Sequence, residues 1–240
     1  MNTTPLAPET LAHYKASAAH YAVTFVASGM KIGLGTGSTA IFATRRIAEL
    51  YANGALRDIL AFPTSQATAA EAIRLGIPMM AEDMPYALDI TIDGADEIDP
   101  QLNLIKGGGG ALLREKIVAQ ASARVIIIAD ETKLSPCLGT HWHVPVEVIP
   151  FGWQAQARFI ETLGARWTMR KHADGAPFVT DSGNLILDCN FGPIADTQHL
   201  ADALAQRAGI VEHGLFLALA TDLIVAGANG IEHKTRARKI

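Results

Sequence analysis

The sequence has few cysteines and no long apolar run, and these two absences exclude whole classes of protein. Two cysteines in 240 residues, Cys137 and Cys189, cannot form the disulfide framework of a small secreted scaffold. The longest strongly apolar runs, such as 125–129, are far shorter than the roughly 20 residues that span a bilayer. No basic-then-apolar leader follows Met1, so we expect a cytoplasmic protein.

A large excess of charge of either sign is also lacking. The net charge of −4 at pH 7 gives no overall signal for binding nucleic acid or membranes, and we predict neither partner. A short basic run near the end, from Lys234 to Lys239, is most simply a solvated chain end. Apolar residues, in contrast, make up 49% of the chain, which suffices for one large domain, alone or with a smaller one.

Apolar runs alternate with amphipathic segments over the first half of the chain. Strands are predicted at 31–34, 59–62, 78–81, 88–92 and 125–129, and helices at 8–28, 40–51, 66–75 and 111–121. This alternation is typical of an α/β fold, here a Rossmann-like open parallel sheet with helices on both faces.

The pattern changes near Ser135. The strands and helices that follow have the order β-α-β-β-α, which indicates a smaller α+β domain of ferredoxin-like type. A strand at 221–226 is predicted to rejoin the first domain. The predicted α/β catalytic domain therefore comprises residues 1–134 and 208–240, and the smaller domain residues 135–207.

Polar loops follow four of the predicted strands, and the first of them is rich in glycine and hydroxyl groups. Because parallel strands bring their carboxyl ends to one edge of a sheet, ligands bind there. In the loop Gly35-Thr36-Gly37-Ser38-Thr39, glycines let an anion approach and helix-start N–H groups point at it. A tight turn with Ser38 as the helix N-cap is the alternative. Lys133 and Lys15 are two further candidate phosphate ligands.

Two aspartates, Asp93 and Asp96, come directly after the predicted strand at 88–92. Neighbouring carboxylates at a strand end are partly desolvated, which tends to raise the pKa of one of them toward values useful for acid–base catalysis. An acidic turn and a magnesium site are the alternatives that the residues leave open.

Lys106 precedes four consecutive glycines, residues 107–110, which lie between a strand and a helix. Such a loop presents bare N–H groups to a developing oxyanion, beside the positive charge of the lysine. Glu115 lies five residues past Gly110 in the predicted helix, where the pattern alone favours an ordinary solvated glutamate. A carboxylate base, an oxyanion loop and a phosphate loop together suit proton transfer next to a carbonyl.

Motifs along most of the chain carry a resemblance to a known family, among them PTS (63–65), VPVEVIPFGW (144–153), TDSGNLILD (180–188), GLFLALATDLIVAGANG (214–230) and the four that contain most of the candidate site residues. These four are GLGTGST (33–39), DGADEID (93–99), KGGGGALLREK (106–116) and ADETK (129–133). The chain resembles the A type of ribose-5-phosphate isomerase from Lys15 almost to Glu232. The resemblance implies interconversion of ribose 5-phosphate and ribulose 5-phosphate in the non-oxidative pentose phosphate pathway, with no metal and no cofactor.

The resemblance also implies a role for each motif residue. Glu115 is then the base that moves a proton from C2 to C1 through a cis-enediolate. Lys106 and the N–H groups of Gly107 and Gly108 stabilise the enediolate oxygens.

The resemblance further implies that Asp93 acts in ring opening or hydroxyl proton transfer and that Asp96 binds sugar hydroxyls. The implied phosphate-binding set is Lys15, Gly35, Thr36, Gly37, Ser38, Thr39 and Lys133. Members of the family are usually homodimers or homotetramers built through the smaller domain.

Two other functions compete with this interpretation. A sugar-phosphate-sensing domain of a transcription regulator would keep the phosphate loop without needing Glu115 or Lys106. A coenzyme A transferase or an amino-sugar-phosphate deaminase of related fold would need a nucleophilic glutamate or an active-site histidine, and no histidine lies between His20 and His141.

Overall fold

The computed structural model describes residues 6–81 and 87–236, which fall into two compact units. Unit 1 comprises residues 6–81, 87–94, 121–132 and 221–236, and unit 2 comprises Ala95–Gln120 and Lys133–Ala220. Of the basic run near the chain end, Arg238 and Lys239 lie outside the described residues.

The described residues form six α-helices and thirteen strands. The helices are α1 (Pro8–Val23), α2 (Ala40–Ala52), α3 (Gln66–Arg74), α4 (Leu112–Gln120), α5 (Trp153–Thr162) and α6 (Thr197–Ala205). The strands are β1 (Lys31–Leu34), β2 (Leu60–Pro63), β3 (Ile90–Asp93), β4 (Glu97–Ile98), β5 (Leu104–Ile105), β6 (Val125–Asp130), β7 (Val144–Val148), β8 (Arg166–Met169), β9 (Leu185–Asn190), β10 (Ile210–His213), β11 (Leu215–Phe216), β12 (Asp222–Gly227) and β13 (Gly230–Thr235). A short 3-10 helix, Glu131–Lys133, follows β6. None of the described helices combines the length and apolar character needed to cross a membrane.

Unit 1 is built on a six-stranded sheet with the order β13-β12-β6-β3-β1-β2. The five strands from β12 to β2 are parallel, and β13 pairs with β12 as an antiparallel edge strand. All residues of β3 and β6 are buried, as expected for strands covered on both faces. The predicted α/β fold class is confirmed. The order in which the chain adds strands to the sheet reverses between β1 and β3, and such sheets bind ligands at this kind of position.

The core of unit 1 forms where α1 packs on α2, β6 and β12. Ala18 and Ala22 are fully buried on α1, and their small side chains let the helix lie close to its neighbours. Ile32, Ile92 and Ile128 from three adjacent strands join the same cluster. Each buried isoleucine contributes about 1.5–3 kcal/mol to stability, so this face fixes the strands that carry the loops described below.

Unit 2 contains a four-stranded antiparallel sheet with the order β10-β7-β9-β8. The chain order β7-α5-β8-β9-α6-β10 and this sheet order are those of a ferredoxin-like fold, as predicted, with β10 as the additional last strand. Val146, Leu187, Ile160 and Leu204 meet in its core, which joins the sheet to α5 and α6.

A second, three-stranded sheet in unit 2 has the order β11-β5-β4. The predicted domain boundaries placed these strands in the first domain, whereas the structure groups residues 95–120 and 208–220 with unit 2. The reason is pairing between distant segments, since β5 pairs with β11 and β10 pairs with β7.

Two predicted elements differ from the structure. Helix α1 ends at Val23 rather than near residue 28, because the chain tightens into successive three-residue turns after Tyr21. The predicted strand at 78–81 is reduced to a single bridge between Met79 and Ala61.

Candidate active site

The predicted phosphate loop lies in unit 1, between the end of β1 and the start of α2. The hydroxyl oxygen of Thr36 lies 2.7 Å from that of Thr64, 2.8 Å from that of Ser65 and 3.1 Å from that of Thr68. Ser65 also caps α3 by accepting a hydrogen bond from the backbone N–H of Thr68. The loop after β1 is thus joined by hydroxyl groups to the loop after β2.

Ser38 and Lys15 meet at the same loop. The Nζ atom of Lys15 donates a hydrogen bond of 3.0 Å to the Oγ atom of Ser38, across 23 residues of sequence. The N-cap of α2 is Thr39, which makes no side-chain capping bond among the described residues. The alternative in which Ser38 caps the helix is therefore wrong, and the start of α2 offers N–H groups together with an ammonium group.

Asp93 ends β3 and is 2% exposed. Its Oδ1 atom accepts hydrogen bonds from the backbone N–H groups of Thr36, at 3.2 Å, and Gly94, at 2.7 Å. A Cβ atom at Gly35 would lie 2.2 Å from this oxygen and 2.6 Å from the Cα atom of Asp93. Glycine is therefore required at position 35, and the carboxylate lies where the strand order reverses, between β1 and β3.

Asp96 belongs to unit 2, where its carboxylate holds the glycine loop. The backbone N–H of Gly108 donates to Oδ2 of Asp96 at 2.7 Å, and a Cβ atom at Gly108 would lie 2.7 Å from Oδ1. Gly107 and Gly110 have φ angles of 101° and 82°, in the left-handed region that favours glycine. The loop conformation therefore depends on glycine at three of its four positions.

The central feature of unit 2 is a buried ion pair between Lys106 and Glu115. Their Nζ and Oε1 atoms lie 3.2 Å apart, and their side chains are 4% and 5% exposed. Glu115 lies in the first turn of α4, where the helix dipole favours a negative charge. The prediction of a solvated glutamate from the pattern alone is wrong, because this carboxylate is buried beside an ammonium group.

The ring of Phe216 lies close to two buried lysines. It is 5.6 Å from the Nζ atom of Lys106 and 4.8 Å from that of Lys116. The face of an aromatic ring attracts a cation, so the ring stabilises ammonium groups that have lost most of their water. Phe216 is fully buried in β11 and is held there by pairing with β5.

Lys116 is the centre of a second buried polar cluster. Its Nζ atom lies 2.6 Å from the carboxylate of Glu212 and donates 2.7 Å to the backbone oxygen of His213. Burial lowers the pKa of Lys116, and the charge of Glu212 opposes this shift. Burial, and then the charge of Lys116, lower the pKa of His213 to about 4, so its imidazole is neutral at pH 7.

A neutral buried histidine predicts a pH-dependent stability. An unfolded histidine has a pKa of about 6.5. Below pH 6.5 the histidine of the unfolded chain binds a proton, whereas His213 in the folded protein binds one only near pH 4. Stability from this group is therefore complete above pH 6.5 and is lost as the pH falls from 6.5 to 4, by up to about 1.4 kcal/mol per pH unit. We expect His213→Gln to unfold in urea with a flatter dependence on pH in this window.

The comparison of wild type with His213→Gln isolates one group among several that titrate. Glu212, Asp202 and Lys116 surround the imidazole and are common to both proteins. The lowered pKa of Asp222, about 2, acts below this window. The exposed His143 provides a matched control, since His143→Gln should retain the wild-type pH dependence. Equal urea midpoints for wild type and His213→Gln at every pH would contradict the prediction.

Lys133 is the last residue of the short 3-10 helix after β6. Its Nζ atom lies 5.0 Å from the centre of the ring of Trp142. Its role as a phosphate ligand stays a prediction. Among the described residues, no group of three or more histidine, cysteine or acidic side chains is placed to hold a metal ion.

Two polar side chains that hold backbone groups of distant loops were not predicted from the sequence. Glu97 is buried and accepts hydrogen bonds from the backbone N–H groups of Gly139 and His141. Arg170 donates hydrogen bonds to the backbone oxygens of Gly107 and Gly108. Glu97 lies in the motif DGADEID, but Arg170 follows an ordinary strand and no local pattern marks it.

Comparisons with known proteins agree with these features. A family model described as ribose 5-phosphate isomerase A (phosphoriboisomerase A) matches residues 60–230. The ribose-5-phosphate isomerase A of Chloroflexus aurantiacus is 59% identical over 221 residues, which are 92% of each chain. That of Desulfatibacillum aliphaticivorans is 53% identical over 93% of this chain and 97% of its own.

Solved structures show the same relationship. A D-ribose-5-phosphate isomerase in complex with phospho-erythronic acid has a TM-score of 0.92 and 36% identity, covering 94% of this chain and 99% of its own. The ribose 5-phosphate isomerase of Plasmodium falciparum has a TM-score of 0.89 and 39% identity, covering 95% of this chain and 100% of its own. The resemblance seen in the four motifs is confirmed, and the chain belongs to the ribose 5-phosphate isomerase A family.

Proposed function

We propose that the protein is an aldose–ketose isomerase that interconverts D-ribose 5-phosphate and D-ribulose 5-phosphate in the non-oxidative pentose phosphate pathway. The observation that carries the proposal is the buried pair of Lys106 and Glu115. A binding domain has no need for a desolvated carboxylate next to an ammonium group, whereas proton transfer beside a carbonyl needs both. The names of the relatives and the sugar acid bound by a similar structure support the same substrate.

In the proposed reaction, Glu115 moves a proton between two carbon atoms. Its carboxylate takes the proton from C2 of the open-chain aldose, and the electron pair left behind forms the C1–C2 double bond. The C1 carbonyl oxygen then becomes an oxyanion of a cis-enediolate. After a proton passes between the two oxygens, Glu115 returns its proton to C1, which leaves the carbonyl at C2.

The developing oxyanion needs electrostatic stabilisation, because a carboxylate is a weak base toward a carbon-bound proton. The ammonium group of Lys106 and the N–H groups of Gly107 and Gly109 are proposed to supply it, since the N–H groups of Gly108 and Gly110 donate to Asp96 and to the oxygen of Gly107. Asp96 orders that loop through its bond to Gly108 and is proposed to bind a sugar hydroxyl. In unit 1, Asp93 is proposed to move hydroxyl protons in ring opening.

The phosphate is proposed to bind at the start of α2. The supporting features are the ammonium group of Lys15, the hydroxyl of Ser38 and the uncapped helix start. The proposed binding set is Lys15, Gly35, Thr36, Gly37, Ser38, Thr39, Gly107, Gly108 and Lys133.

Location and assembly are further parts of the proposal. We propose a cytoplasmic protein that assembles as a homodimer or homotetramer through the smaller domain. Phe151 supports the interface, because its side chain, three residues past the end of β7, is 88% exposed and a large exposed aromatic side chain is typical of a contact surface. A monomer in sedimentation at micromolar concentration would contradict this part of the proposal.

One assay tests the proposed function directly. Purified protein is incubated with ribose 5-phosphate in EDTA, and ribulose 5-phosphate is measured. We expect turnover in the usual range of about 1–10³ per second, unchanged by the chelator, and a large loss with ribose, which lacks the phosphate. Absence of ribulose 5-phosphate would overturn the proposed function, and loss of activity in EDTA would overturn its metal-free chemistry.

A further inference from the structure

Arg170 lies at the end of β8 in unit 2 and contacts the glycine loop with its guanidinium group. Its Nη1 atom donates hydrogen bonds of 2.7 Å to the backbone oxygen of Gly107 and 3.1 Å to that of Gly108. On its other edge, Nε donates 3.0 Å to the carboxylate of Asp188, which Nη2 also contacts. The side chain is 14% exposed, so these bonds are largely shielded from water.

The two carbonyl bonds fix the direction of two N–H groups. In a planar trans peptide, the N–H of one residue points opposite to the C=O of the residue before it. Holding the carbonyls of Gly107 and Gly108 therefore orients the N–H of Gly108, which donates to Asp96, and the N–H of Gly109. A guanidinium on a carbonyl also polarises the peptide, which strengthens its N–H as a hydrogen-bond donor.

The loop needs such an anchor because its residues have no side chains of their own. Four glycines lose more conformational entropy on ordering than other residues do, by about 0.5–1 kcal/mol each relative to alanine. The other end of the loop, at Gly110, is held by Phe178, which is hydrogen-bonded to Arg170. The ring of Phe178 fills the space that a Cβ atom at Gly110 would need, and the backbone N–H of Phe178 donates to the oxygen of Arg170.

We propose that Arg170, oriented by Asp188, is a positioning residue that aims the N–H group of Gly109 at the enediolate oxygen, while Asp96 holds the N–H group of Gly108. The inference rests on the proposed function and extends it to residues outside the four motifs. Arg170 acts through the peptide groups of the loop. Its loss should therefore weaken stabilisation of the transition state more than binding of the substrate.

The test compares Arg170→Met with wild type. We expect kcat to fall about 10²-fold, as for loss of an oxyanion donor, while KM changes less than about threefold. Phospho-erythronic acid should still bind at one per site in calorimetry, with weaker affinity. Added guanidinium ion should restore part of kcat. Arg166→Met, a change of an exposed arginine on β8, should behave as wild type.

The possible outcomes separate a positioning role from a merely structural one. Loss of kcat together with an equal loss of binding stoichiometry, and no response to guanidinium, would show misfolding and overturn the inference. Unchanged kcat in Arg170→Met would also overturn it. Asp188→Asn, which keeps the shape of the partner, should give a smaller loss of kcat in the same direction.

Glu115→Gln, assayed alongside, separates this inference from the proposed function. An active wild type, an inactive Glu115→Gln and a fully active Arg170→Met would overturn only the inference. A wild type that converts no ribose 5-phosphate would overturn both.

Discussion

Replacing Glu115 with glutamine is expected to lower kcat by about 10³-fold or more, with little change in KM. The amide has nearly the shape of the carboxylate but cannot accept a proton from carbon. It also leaves the phosphate loop of unit 1 untouched, so binding of ribose 5-phosphate and of phospho-erythronic acid should persist. Initial rates and calorimetry on the same preparation measure the two effects separately.

The control for this change is Glu9→Gln. Glu9 also lies in the first turn of a helix, but it is exposed on α1. We expect wild-type kinetics from this variant. A Glu115→Gln protein that retained a rate within about tenfold of wild type would show that another group moves the proton.

Replacing Lys106 with methionine is expected to lower kcat by about 10²–10³-fold, the usual effect of removing one oxyanion-stabilising group. Methionine fills similar volume without charge, so the fold should be retained. A second effect follows from burial. Without its ammonium partner, the carboxylate of Glu115 is favoured in the protonated form, which cannot act as a base. The remaining activity should therefore rise with pH, over a range where the wild-type rate is already constant.

The pH–rate profile measures this shift, and Lys234→Met provides the control. Lys234 is 46% exposed on the edge strand β13, and its replacement should leave both rate and profile unchanged. A Lys106→Met variant with a reduced rate but a wild-type profile would mean that Lys106 acts on the substrate alone. An unchanged rate in Lys106→Met would show that Lys106 does not stabilise the transition state.

The positions of the loops follow from the sequence, because local signals mark them. Gly35 lies where an apolar strand gives way to a helix, and Asp93 directly follows another strand, so the parallel-sheet rule places both at strand ends. The structure adds why glycine is required at position 35, since its missing side chain is the space that the carboxylate of Asp93 occupies. That contact joins residues 57 or more positions apart and has no local signature.

The burial of α4 is not predictable from its own residues. Arg114, Glu115 and Lys116 are consecutive and charged, so the local pattern favours a solvated helix. Burial depends on partners elsewhere in the chain, because Lys116 pairs with Glu212, 96 residues away. Only the family motif identified Glu115 as functional before the structure was known.

The role of Arg170 is even less predictable from the residues around it in the sequence. Its partners in the glycine loop are 62 and 63 residues away, and no motif includes it. The assignment of residues 95–120 to unit 2 has a similar origin, since β5 is completed by β11. Tertiary pairing of this kind decides both the domain division and the support of the site, whereas strand and helix positions are set locally.

If Glu115 moves a proton between C2 and C1, the hydrogen found at C1 of the product reveals it most directly. Ribose 5-phosphate is brought to equilibrium in D₂O with wild-type enzyme, held there for many turnovers and examined by proton NMR. A proton carried by a carboxylate exchanges with solvent, so we expect deuterium at C1 of ribulose 5-phosphate with wild type and none with Glu115→Gln. Complete retention of protium at C1 with active wild-type enzyme would indicate direct hydride transfer between the carbons and would contradict proton transfer by Glu115.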